Sequence, residues 1–361
     1  MIINKLSVIN YKNILQAEIA CSAKMNCFFG NNGMGKTNLL DAVYYLSFTK
    51  SHLHTPDSQI IRDGEDMCIV QGTYLFENRT EDVFCAVRRG HHKVFKRNAK
   101  EYSRMSEHIG LLPLVMISPA DAELISGGSE ERRRFADMFL SQNDARYLNS
   151  LVLYNKAVLQ RNALLKDKSS DYQTFDILEM QMEQYGQYVY AKRREMLDEI
   201  TPLFNEYYAL VSGQNELAGL KYNSQLADSD FVKSLRDSRA KDLVAGYTTF
   251  GTHKDDIEMT LGDKLIRRAG SQGQNKTFLI ALKLAQFSLM VVKGMSQPIL
   301  LLDDIFDKLD AERVERIIGL VSSDRFGQIF ITDTNREYLD RIVKNLTHDY
   351  SLFRIENGRG L

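Results

Sequence analysis

The run 30–37 reads Gly-Asn-Asn-Gly-Met-Gly-Lys-Thr and fits G-x-x-x-x-G-K-T, a spacing suited to holding a polyphosphate. Gly30, Gly33 and Gly35 let the backbone approach closely, so that successive amide N–H groups face phosphate oxygens. Lys36 is placed to reach the β- and γ-phosphates of ATP, and the Thr37 hydroxyl to ligate Mg2+. Asn31, Asn32, Met34 and Asn38 complete the nucleotide-contacting run. A second chemical pair stands far along the chain, where the apolar run 299–302 ends in Asp303-Asp304. A carboxylate ending a neighbouring strand can hold the Mg2+ hydration shell, which is the role expected of Asp303. Asp304, expected on the strand's other side, is the candidate to polarise the attacking water. The third element is Ser271-Gln272-Gly273-Gln274 at the start of a helix. There Ser271, Gly273 and Gln274 combine a hydroxyl, a glycine and amides into a second anion-binding helix end.

These groups need strands and helices in a fixed order. Cys27, Phe28 and Phe29 read as a buried strand, and Leu39, Leu40, Ala42, Val43 and Leu46 as the helix after the loop. Ahead of them, Ile3, Leu6, Val8, Ile14, Ala17 and Ile19 alternate in two strands around a turn at 10–13. Segment 49–64 reads as a loop, 68–76, 82–89 and 93–97 as strands, and 111–117 as a buried strand. From 121 to about 210 the period is helical, with a turn at 166–171. Segment 213–240 is weakly patterned, and its structure is left open. Strand character returns at 247–250 and 257–265, followed by a helix at 276–292, a strand at 299–302, a helix at 311–321 and strands at 328–332 and 350–355.

The 361 residues, 44% hydrophobic and 26% charged, suit an ordinary globular protein with a large core. A net charge of −1 gives no whole-molecule attraction to polyanions, so DNA would have to meet local basic patches. Arg88, Arg89, Lys93, Lys96 and Arg97, with His91 and His92, form the densest one, readable equally as a solvated sheet face. Arg132, Arg133 and Arg134 form another, readable equally as an ion-pair element near Asp137. His91-His92 lacks a carboxylate or thiol at ligand spacing. Cys21, Cys27, Cys68 and Cys85 read as reduced core residues. Tyr185, Tyr188 and Tyr190 read as packing residues. The N-terminus has no leader pattern and no later run approaches a membrane span, so a cytoplasmic protein without membrane contact is expected. No N-K-x-D segment points to guanine.

In the ATP-binding-cassette arrangement a signature helix presses on the nucleotide of a partner subunit, which implies an ATP-dependent homodimer with two shared sites. The phosphate loop, the 271–274 signature and the 299–310 block resemble the RecF family of bacterial recombinational repair, related to SMC heads without the long coiled coil. The blocks 119–137 and 251–256 are similar to further RecF signatures, so the likeness spans most of the chain. Departures are Ala120, Ser129, the trio Thr252-His253-Lys254, Lys308 and Asp333. The resemblance implies an α/β fold, a P-loop core of the ABC/SMC-head type with an inserted, mainly helical second domain. The expected boundaries are 1–125 and 247–361 for the core and 126–246 for the insertion. It further implies ATP and Mg2+ as cofactors and weak DNA-stimulated ATP hydrolysis. DNA, single-stranded or as gapped duplex, would be the ligand, and RecO and RecR the partners in loading RecA. The alternative is a transporter-type or other cassette ATPase without a DNA role. An ATP-binding scaffold that does not hydrolyse also stays open.

Overall fold

The computed structural model describes residues 1–213, 217–227, 229–306, 309–334, 349–356 and 358–360. The chain opens with strands β1 (Ile2–Tyr11), β2 (Ile14–Ala20) and β3 (Met25–Phe29), then helix α1 (Lys36–Phe48). Strands β4 (Met67–Phe76), β5 (Arg79–Arg88), β6 (Val94–Arg97) and β7 (Lys100–Glu101) follow as a meander, and then β8 (Leu114–Ile117). Four helices come next: α2 (Glu123–Ser126), α3 (Ser129–Asn143), α4 (Ala145–Lys166) and α5 (Tyr172–Ser212). After them lie β9 (Ala218–Asn223), α6 (Phe231–Ala245), β10 (Asp256–Leu261), β11 (Lys264–Leu265), α7 (Ile266–Ala269) and α8 (Gln272–Val292). The chain finishes with β12 (Ile299–Asp303), α9 (Ala311–Val321), β13 (Ile329–Asp333), β14 (Tyr350–Glu356) and β15 (Arg359–Gly360).

Two compact units result. The first comprises Met1–Asp121, Leu210–Gly213 and Ile280–Leu361, and the second Ala122–Ala209 and Gln214–Leu279. The return to the core thus falls at Ile280 and not at 247. The reason is pairing: β10 and β11 join β9 in a three-stranded sheet, order β11-β10-β9, and have no place in the core sheet.

In the first unit twelve strands form one sheet, ordered β7-β6-β5-β4-β1-β2-β15-β14-β3-β13-β12-β8. Its β7-to-β2 portion is antiparallel, and β14, β3, β13, β12 and β8 run parallel. The strands β3, β13, β12 and β8 are buried at every residue, as parallel strands covered on both faces must be. Helix α1 buries Leu39, Leu40, Val43, Tyr44 and Leu46 in the same core.

In the second unit Tyr154, Met182, Phe231 and Leu235 centre a smaller core. The stretch 213–240, left open by the sequence, contains β9 and the greater part of α6. The strand expected at 247–250 is absent, because its amides are met by side chains: Thr248 N by Asn162 Oδ1 and Thr249 N by Asp242 Oδ1. Tyr188 donates to Asp144 and Tyr190 stacks on Tyr222. One further expectation needs correction. Helix α8 is long and apolar enough to cross a membrane, but 72% of its most apolar stretch is buried inside the protein, as in a core helix.

Candidate functional site

Parallel strands deliver their carboxyl ends to one edge of the sheet, where open α/β sheets place their ligands. Here β3 runs into Gly30, β12 ends at Asp303 and β13 at Asp333. Residues 30–35 connect β3 to α1, whose N-cap, Gly35, has φ +109 and provides no side-chain cap. The first-turn amides of α1 are therefore left for an anion.

Lys36 is only 7% exposed, and its Nζ donates to Gly30 O at 2.7 Å and Asn31 O at 3.0 Å. Burial lowers its pKa, while Asp304, Asp303 and Asp333 oppose that shift. Thr37 Oγ1 donates to Asp303 Oδ1 at 2.9 Å, and Thr332 Oγ1 donates to the same oxygen at 2.7 Å. Burial raises the Asp303 pKa, and the two threonine hydroxyls hold it back. The Asp304 N–H donates to Thr332 Oγ1 at 2.9 Å. Asp304 lies beyond β12 with φ +49, so strand alternation does not set its direction as the sequence suggested.

The structure thus brings together Lys36, Thr37 and Asp303, with Asp304 adjoining. Thr37 and Asp303 offer hard oxygen donors side by side, which fits Mg2+, an ion that keeps waters and phosphate oxygens as its other ligands. Sequence reasoning missed Thr332, which links both aspartates, and Asn13, whose Nδ2 donates to Gly33 O at 2.7 Å. Their only signal was membership in a strand end and in a turn. Lys308 lies outside the described residues.

In the second unit, Ser271 and Gln274 close a capping box at the start of α8. Ser271 Oγ accepts from Gln274 N at 3.2 Å, and Gln274 Oε1 accepts from Ser271 N at 2.9 Å. Ser271 is exposed and Gly273 and Gln274 are half-buried.

The basic clusters separate. Arg132 is 4% exposed and grips Asp256 with Nε at 2.6 Å and Nη2 at 3.1 Å, while Nη1 donates to Gly127 O. Arg133 donates to Asp255 O at 2.6 Å, and Arg134 pairs with Glu131 and Glu130. Asp137 pairs instead with Arg193. Arg132 is therefore corrected from a DNA contact to an internal tie of the second unit, whereas Arg133 is half-buried and commits Nη1 to Asp255 O. Lys93 is bound to Asp57 and Thr49 O, and Arg97 to Glu81. Arg88 and Arg89 lie exposed, with Arg89 donating to Glu65 O, and Lys96 is half-buried.

Comparison with known proteins agrees with this geometry. The RecF/RecN/SMC N-terminal domain family matches residues 2–352. The chain is 63% identical over 358 residues to the DNA replication and repair protein RecF of Parabacteroides distasonis, covering 99% of this chain and 98% of that protein. It superposes with a TM-score of 0.88 on the recombination mediator protein RecF–ATP in the RecFOR pathway, at 26% identity, over 99% of this chain and 96% of the other. The Pyrococcus furiosus Smc head domain shares the fold, with a TM-score of 0.59 at 17% identity over 99% and 94% of the two chains. With almost its whole length matched at such identity, the chain belongs to the RecF family of DNA replication and repair proteins, an α/β P-loop fold of the SMC-head type.

Proposed function

We propose that this chain is an ATP-dependent DNA-binding protein of recombinational repair that ATP joins into a homodimer and slow hydrolysis releases. The observation that carries the reading is the 2.9 Å hydrogen bond from Thr37 to Asp303, which sets the loop hydroxyl against the strand-ending carboxylate in the relation a Mg2+–triphosphate requires. Mg2+ bound there supplies charge neutralisation on the phosphate oxygens. Lys36 would exchange the carbonyls of Gly30 and Asn31 for phosphate oxygens, since charge-assisted hydrogen bonds are stronger than neutral ones. Asp304 would orient the attacking water. Ser271, Gly273 and Gln274 of a second copy would cap the γ-phosphate, giving two shared sites.

The relatives' names, a DNA replication and repair protein RecF and a recombination mediator in the RecFOR pathway, support a repair setting. Action with RecO and RecR to load RecA at single-strand gaps in the cytoplasm is part of this proposal. Arg88, Arg89 and Lys96 are the surface candidates for DNA phosphates, and a surface of that kind gives affinity that falls steeply with salt. The cassette-transporter alternative gains nothing from α8, whose apolar stretch is mostly buried.

Sedimentation with and without ATP and Mg2+ tests the reading. Lys36→Arg is expected to weaken both association and hydrolysis, and an undiminished ATP-driven dimer would contradict the shared site. Ser271→Ala is expected to keep nucleotide binding and reduce association. Gapped DNA is expected to stimulate turnover, and an unresponsive rate would favour a cassette ATPase of another kind.

A further inference from the structure

Two consecutive carbonyls of the phosphate loop are held from outside it. Asn13, at the turn between β1 and β2, donates to Gly33 O at 2.7 Å and accepts from Asn38 Nδ2 at 2.7 Å. Gly358, at the turn between β14 and β15, donates to Met34 O at 3.2 Å and accepts at its own carbonyl from Leu15 N at 3.1 Å. Packing tightens the same contacts. A Cβ at Gly35 would lie 2.9 Å from Asn13 Oδ1, and one at Gly30 would lie 2.5 Å from Ile355 O. Gly358 has φ +71, and a Cβ there would run into Asn13 O.

A trans peptide points its C=O and N–H to opposite sides. Anchoring Met34 O outward therefore turns the Gly35 amide the other way, while the Met34 N–H closes the loop on Asn31 O at 3.4 Å. The orientation of the cradle is thus imposed from the first hairpin and from strands more than three hundred residues later in the chain.

We propose that Asn13 and the hairpin 350–360 are positioning elements of the nucleotide site: they aim the loop amides before phosphate arrives, so part of the affinity for ATP is set outside the G-x-x-x-x-G-K-T run. This rests on the reading of that run as the ATP site. Asn13 is exposed, so Asn13→Ala leaves the nucleotide-free melting temperature near that of the wild type. Its affinity for ATP, measured by titration of the full chain, is expected to fall about tenfold, the scale of two lost hydrogen bonds. Gly358→Ala, which strains the turn, is expected to weaken ATP binding as well. Wild-type affinity in both variants, with Lys36→Ala deficient, overturns the positioning role alone. Wild-type affinity in Lys36→Ala too overturns the site itself, and the proposal with it.

Discussion

One oxygen of Asp303 accepts from two hydroxyls, Thr37 Oγ1 on the phosphate loop and Thr332 Oγ1 on β13. Thr332 also receives the Asp304 N–H, so a single buried side chain fixes both acids. Thr332→Val is expected to lower stability by about 1–3 kcal/mol, since it leaves polar groups unpartnered in the interior. It should also reduce hydrolysis more than nucleotide binding; melting curves and turnover rates with ATP check both. Arg132→Met is expected to lower stability by about 1–2 kcal/mol through its lost hydrogen bonds, since the Asp256 side chain is 35% exposed and solvent relieves its unpaired charge. It should leave the salt dependence of DNA binding unchanged, and a shallower slope would restore Arg132 to the DNA surface. The phosphate loop was legible in the sequence because its residues are contiguous. Asn13 and Thr332 were not, because the groups they hold lie 20 and 29 residues away and a turn asparagine or a strand threonine carries no mark of its partner.

Helices α4, α5 and α6 meet around Arg161, which is fully buried. It reaches Glu179 at 3.0 Å, Asp242 at 2.7 Å and the Thr248 hydroxyl at 3.0 Å. Arg161→Met removes the cation shared by two fully buried carboxylates. It is expected to destabilise the second unit by roughly 3–5 kcal/mol, measured by urea unfolding, and little change would mean that Arg239, which also pairs with Glu179, and apolar packing hold the helices without it. Periodicity revealed α4 and α5 well, but not α6, most of which lies in the weakly patterned stretch 213–240. It also exposed β8 and β12 of the parallel layer, through their unbroken apolar runs 114–117 and 299–302. It misjudged 247–250, where β-branched residues mimic a strand while Asn162 and Asp242 take the backbone donors. The fate of the 257–265 hairpin was equally hidden, since its partner β9 lies in a stretch without pattern.

Across the whole molecule, each unit carries a neutral histidine, His108 fully buried and His253 half-buried. In the first unit His108 Nε2 donates to Leu46 O and Nδ1 accepts from the Tyr102 hydroxyl; in the second His253 Nε2 donates to Thr248 O and Nδ1 accepts from the Tyr154 hydroxyl. Burial lowers both pKa values to about 4, from an ordinary value near 6.5. Between those values the unfolded chain binds protons that the folded chain does not, so stability is full above about pH 6.5 and declines as the pH falls toward 4. The loss approaches about 3 kcal/mol per histidine at the acid end. Unfolding at pH 7.5 and 5 is expected to show the decline, and His108→Gln or His253→Gln to flatten it; an unaltered slope would assign the acid sensitivity elsewhere. The order of strands in the large sheet was the least legible feature, because β3 takes β13 and β14 as its neighbours among the described residues. A ribosome emits β3 among the first thirty residues and both of its neighbours some three hundred residues afterwards. The nascent polypeptide therefore carries a strand that the fold buries at every residue while both of its neighbours are still unmade, an open edge of the kind that invites mispairing.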